Sequence, residues 1–135
     1  MRLLLDTRVF LWLMTEPERL GPQLALVEDA ENEVLLSAAS SWEIAIKYQL
    51  GKLELPTDPA RYVPDRLRSI GASPLAVEHS HALAVSSLPQ LHRDPFDRLL
   101  VAQARLLRLL LLTADRPLAD YPIDTVLVGV GGLMS

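Results

Sequence analysis

Cysteine is absent from these 135 residues. Disulfide frameworks and thiolate metal sites are therefore excluded, and oxygen and imidazole are the ligands left for any metal. The same usage suits a reducing cytoplasm. Long hydrophobic runs are also missing: no stretch reaches the roughly 18 apolar residues of a membrane span. Asp6 interrupts the first apolar run before a signal-peptide core develops. The expected localisation is cytoplasmic, with no membrane partner. Nor is there an excess of basic charge, since 13 Lys and Arg face 17 Asp and Glu for a net −4. That balance argues against a protein that holds nucleic acid by bulk electrostatics. The objection weakens if part of the negative charge surrounds a bound cation, which reverses the local field. Repeats, linkers and low-complexity blocks are absent.

Half of the residues are apolar and 22% are charged, a globular composition, and the length suits one compact domain. The core is expected over about residues 2–128, with a flexible tail, "GVGGLMS", over 129–135. "RLLLD" at the start and "LLLLTAD" at 109–115 are short, continuously apolar and end on a carboxylate, the pattern of strands buried on both faces of a parallel sheet. "EVLLS" and "DTVLVG" read as further strands, and "SPLAV" as a weak one. Helices are expected over "TRVFLWLM", over 22–30, over 37–50, after the Asp58–Pro59 cap (with Pro64 bending or dividing it), over "EHSHALAVSSL", over "DPFDRLLVAQARLLR" and briefly after Pro117. Strands alternating with helices define an α/β fold with a mostly parallel central sheet flanked by helices. In such sheets ligands bind beyond the carboxyl ends of the strands, where strand order reverses. Asp6 and Asp115 both sit at such ends.

Each acidic residue there also has a structural use. Asp6 suits a cap for the helix starting near Thr7, and Glu43 a capping box with Ser40. Asp97 suits the third position behind the Asp94 cap, and Asp115 a cap for the turn at Pro117. Capping explains each position and not their joint placement. Helix N-termini and strand C-termini share one rim, so all four carboxylates point to the same edge. Four converging anions in a partly desolvated cleft raise one another's pKa values or cost stability, and a divalent cation removes that conflict. Hard oxygen donors without thiols or paired histidines suit Mg²⁺ or Mn²⁺ over zinc, and a water on such an ion can serve as nucleophile in phosphodiester hydrolysis.

"LLLDTR", "SAASSWEIAIKYQLGKLELP", "HRDPFDRLLVAQA" and "LLTAD" together resemble a PIN-domain ribonuclease, in particular the VapC-type toxins of bacterial toxin–antitoxin pairs. The resemblance runs from Leu3 to Val128, and four ordered motifs make it specific. It implies a three-layer α/β/α PIN-like domain whose acidic cluster is Asp6, Glu43, Asp97 and Asp115. Asp6 and Asp97 would ligate the metal, with Glu43 and Asp115 completing the site directly or through water. The resemblance further implies an RNA substrate, a homodimer and a small VapB-type antitoxin partner. Two positions depart from the pattern. Arg8 replaces a histidine close to the metal; arginine does not ligate a cation, but it clamps phosphate in bidentate fashion. Arg108 stands where a glycine commonly turns helix into strand, so a positive φ there would carry a modest strain.

His92 and Arg93, just before the Asp94 cap, are candidates to touch RNA phosphates, or else an exposed loop pair. Thr113, with Thr7 and Ser40, neighbours the acids and is read either as a support for bound water or as a strand-end and capping hydrogen-bonder. His79 and His81 fall on different helical faces and so do not share a metal. Trp12 and Trp42 are read as core or dimer-interface packing in preference to base-stacking platforms. Lys47 and Lys52 are solvated charges or part of the substrate approach. Two other functions stand beside the nuclease. One is a PIN-like RNA- or partner-binding module that has lost turnover, with Arg8 in its favour. The other is an aspartyl-phosphate phosphatase or receiver-like domain, against which Arg8 occupies the place of a second Asp and no lysine follows Lys52.

Overall fold

A computed structural model describes residues 1–129. Of the expected tail, everything after Gly129 lies outside the described residues. Five strands, β1 (Arg2–Leu5), β2 (Glu33–Ser37), β3 (Ser73–Leu75), β4 (Leu110–Thr113) and β5 (Thr125–Leu127), pair in the order β3-β2-β1-β4-β5. Every pairing is parallel. The helices are α1 (Thr7–Thr15), α2 (Leu24–Glu28), α3 (Ala38–Gln49), α4 (Pro59–Ile70), α5 (His79–Ala84) and α6 (Pro95–Leu107), joined in places by short 3-10 turns.

Two apolar clusters explain the unbroken leucine runs. Leu3, Leu5, Val34, Leu36 and Leu112 point to one face, where they meet Val9, Phe10, Ile44 and Leu67. Leu4, Leu35 and Leu111 point to the other, where they meet Leu100, Val101, Ala104 and Leu118. Successive strand residues alternate faces, so a sheet covered by helices on both sides needs apolar residues at every position. The result is the three-layer α/β/α arrangement. Strand order reverses between β1 and β4, which places the switch point beside Asp6 and Asp115.

Three sequence expectations are corrected. The helix expected over 22–30 is a 3-10 turn at Pro17–Gln23, kinked at Gly21 (φ 64°), followed by the short α2. Pro64 does not divide α4, which runs unbroken from Pro59 to Ile70 behind its Asp58 cap. Sitting one turn beyond the helix start, Pro64 forfeits only the bond its own N–H would make to the Ala60 carbonyl. The cap of α3 is Ser37, whose hydroxyl accepts the Ala39 N–H at 3.0 Å, so Ser40 lies inside the first turn and forms no capping box with Glu43. The strand end decides this, because β2 delivers Ser37 to the turn already extended and buried. Arg108 adopts the left-handed conformation anticipated for it, φ 55° and ψ 52°, as the C-cap of α6.

Candidate metal centre

Asp6 caps α1 as expected: one carboxylate oxygen accepts the Val9 N–H at 2.9 Å, and the other accepts the Thr113 hydroxyl at 2.5 Å. Thr113 is fully buried, and its oxygen also accepts the Asp115 N–H at 3.0 Å. One hydroxyl therefore ties together the carboxylates that leave β1 and β4. Thr113 is occupied in setting those groups and is not part of the cleft lining, so of its two readings the strand-end hydrogen-bonder is the one observed. Burial pushes the Asp6 carboxyl above its ordinary value, against the lowering effects of Thr113, the Val9 N–H and Arg8.

Glu43 stands in the second turn of α3, almost wholly buried. Its two oxygens accept from the Thr7 hydroxyl and the Lys47 ammonium, each at 2.7 Å. Asp94 caps α6 by accepting the N–H groups of Phe96 at 2.8 Å and Asp97 at 3.2 Å. Asp97, in that first turn, is pushed up to about 7, chiefly by burial and then by the anions Asp94, Asp6 and Glu43, with His92 acting in the opposite sense. Asp6, Glu43, Asp94, Asp97 and Asp115 all line one cleft of about 260 Å³ at the switch point. The four acids expected to converge do so, and Asp94, expected to act only as a cap, joins them.

His92 enters this cluster by a route the sequence conceals. Its Nε2 lies 2.9 Å from Asp115 Oδ2 and 3.6 Å from Asp97 Oδ2, while its Nδ1 accepts the Asp94 N–H at 3.0 Å. A ring nitrogen that accepts cannot carry the proton in the neutral ring, so Nε2–H is the donor to Asp115. One atom each of His92, Asp97 and Asp115 lies within 4.8 Å of the others, close enough to hold an ion. The ring is placed by the loop before α6, which the buried Arg98 pins by donating to the carbonyls of Val85, Pro89 and His92. No periodic pattern announces such a loop. Arg93 is exposed and is not part of the cleft wall.

Arg8, Lys47 and Lys52 form another part of the cleft wall. His81 is buried, its Nδ1 accepting the Glu78 N–H, and His79 is exposed, so the two share nothing. Trp12 is half-buried under Arg19, whose guanidinium carbon is 4.2 Å from the ring centre. Trp42 is 61% exposed and packs edge-to-face on Phe96 at 5.2 Å, which removes it from the core.

Carboxylate oxygens dominate the donors, and both burial and their crowding raise the Asp97 carboxyl. A hard divalent cation fits that set and would relieve the crowding. A doubly covered parallel sheet with an acidic cleft at its switch point defines the class: an α/β protein suited to cation chemistry at its strand ends. The chain belongs to the PIN domain family, whose pattern matches residues 3–123. That membership sets aside the phosphatase and receiver-like alternative. A 57-residue stretch is 61% identical to Ribonuclease VapC16 of Mycobacterium tuberculosis; it takes in 42% of this chain and only 40% of that protein. Among solved structures, VapBC2 from Rickettsia felis, bound to a DNA fragment from its promoter, superimposes with a TM-score of 0.73 at 15% identity, over 95% of this chain and 99% of that one. FitAcB from Neisseria gonorrhoeae gives 0.60 at 22% identity, over 91% and 95%. At such identities the likeness is one of fold. Among the described residues no helix is long and apolar enough to cross a membrane.

Proposed function

We propose that this protein is a metal-dependent endoribonuclease that hydrolyses RNA phosphodiester bonds, the toxin of a toxin–antitoxin pair. The observation that carries the reading is Asp97: its carboxyl is held near 7 by burial and by Asp94, Asp6 and Glu43, in a cleft with Asp115 on its wall. Five acids in one small cleft repel one another, and a bound cation offsets that repulsion.

Asp6 and Asp97 would hold Mg²⁺ or Mn²⁺, with Glu43 and Asp115 completing the shell directly or through water. When bound, the ion supplies an activated water and stabilises charge on the departing oxygen. The chain's own contribution is orientation. Thr113 fixes Asp6, Thr7 and Lys47 fix Glu43, and His92 holds Asp115. Such partners of ligating carboxylates are typically worth 10–100-fold in metal affinity or activity. A small open cleft admits single-stranded or looped RNA, whose backbone is accessible. The 61% identity to a protein named as a ribonuclease and the fold shared with VapBC and FitAB complexes support this reading. They also support a small VapB-type antitoxin partner, and a homodimer in the cytoplasm completes the proposal.

Labelled RNA incubated with Mg²⁺ or Mn²⁺ tests it. Wild-type protein is expected to cut, excess EDTA to abolish cutting, and Asp6→Asn or Asp97→Asn to lose more than about 100-fold, beyond what loss of a supporting partner costs. Equal cleavage by wild type and Asp97→Asn overturns the assignment. Metal binding without cleavage of any RNA moves the protein to the binding-module reading that Arg8 first suggested.

A further inference from the structure

The cleft is lined by three cations as well as by its five acids. Of the three cations, Lys47 is committed to Glu43 at 2.7 Å. Arg8 and Lys52 line the same cleft, are exposed, and form no ion pair among the described residues, although five carboxylates share the cavity with them. Cations placed to neutralise those acids would be in contact with one of them. Both are exposed instead, and Arg8 acts on Asp6 through space without contact.

Lys52 is also held by construction. Gly51, at φ 74°, ends α3: its N–H donates to the Tyr48 carbonyl at 3.1 Å, and the Lys52 N–H donates to the Lys47 carbonyl at 2.9 Å. This double closure is a Schellman turn. It fixes the Lys52 backbone over the residue that holds Glu43. Leu53 follows on the cleft wall, and Leu11 lies one turn beyond Arg8 on α1. The cleft lining therefore includes, beside the acids, two cations outside any ion pair and two apolar side chains, carried by α1 and by the turn after α3.

We infer that Arg8 and Lys52 form a phosphate-binding subsite for single-stranded RNA, engaging a backbone phosphate next to the one presented to the acids, with Leu11 and Leu53 against the adjoining sugar. This rests on the nuclease reading above. Arg8 supplies a planar fork for two phosphate oxygens and Lys52 a mobile point charge, a pairing suited to a phosphodiester. The contact is indifferent to sequence, so it sets register and affinity and leaves base preference to other surfaces.

The test measures binding of a fluorescent, unstructured RNA to Asp97→Asn protein, chosen because it is expected not to cut the probe, across a series of salt concentrations. Adding Arg8→Gln or Lys52→Gln is expected to weaken binding about tenfold. Each should also lower the slope of log affinity against log salt, and the two together by about 0.7, the value for one phosphate contact on a single strand. Arg8→Lys and Lys52→Arg should restore the slope, which only retained charge explains. Melting temperatures check that every variant is folded. RNA binding whose strength and slope persist in both Gln variants overturns the subsite while leaving the nuclease reading intact. Wild-type protein that neither binds nor cuts RNA in the presence of Mn²⁺ overturns both. Loss of affinity for a polyglutamate peptide, with RNA binding unchanged, overturns the subsite in favour of an acidic polypeptide.

Discussion

Asp97 shows how a site can be built against the stability of its own fold. A carboxyl held near 7 in place of its ordinary 3.8 keeps its proton in the folded chain at pH values where the unfolded chain has lost it. Between about 4 and 7 the folded state thus binds more protons, so its stability falls as pH rises through that window and is constant above it. The full penalty, reached above 7, is about 4 kcal/mol. An asparagine in its place has no charge to bury. In metal-free protein, Asp97→Asn is therefore expected to raise the melting temperature, and to raise it several degrees more at pH 8 than at pH 5. Thermal unfolding in EDTA at the two pH values measures this; an equal effect at both would show that burial does not set the acidity of Asp97.

The elements that carry these residues are economical, and one retains strain. Arg108 turns α6 into β4 with φ 55°, a region where a side chain costs roughly 1 kcal/mol and glycine costs nothing. Its amide still donates to the Ala104 carbonyl, as a C-cap should. Arg108→Gly should gain about 1 kcal/mol, partly offset by greater freedom in the unfolded chain, and raise the melting temperature by a few degrees. A denaturant midpoint that falls would indicate that the Arg108 side chain contributes more than its backbone costs. This turn and the buried strands were legible in the sequence, because leucine runs, Pro and Asp caps and the helix-to-strand junction are local signals. The place of Glu43 on the cleft was legible but the cap of α3 was not, since "SAASS" offers several serines and only the end of β2 selects Ser37. His92 and Lys52 were harder. The first is positioned by Arg98 holding three loop carbonyls, the second by the Gly51 turn, and neither arrangement leaves a periodic trace.

For the whole molecule, the proposed metal site links ion binding to folding. An ion that binds only the folded chain stabilises it by about 2.7 kcal/mol at a concentration one hundred times its dissociation constant. The acids here are contributed by β1, α3, α6 and the segment after β4, so the unfolded chain offers no comparable set. On the proposed assignment of Asp97 as a ligand, binding also requires it ionised. Below pH 7 each binding event must expel its proton, so the stabilisation by Mn²⁺ should grow from pH 5.5 to about 7.5 and then level off. The loaded protein, with Asp97 already ionised, keeps its stability over the range in which the unliganded one loses it, so the gap between the two melting curves widens. Asp97→Asn should show a smaller Mn²⁺ shift with little dependence on pH in that window. Scanning fluorimetry of both proteins, with and without Mn²⁺ across that range, decides the matter. A shift that is flat with pH in the wild type, or identical in the two proteins, would mean that the ion binds away from Asp97.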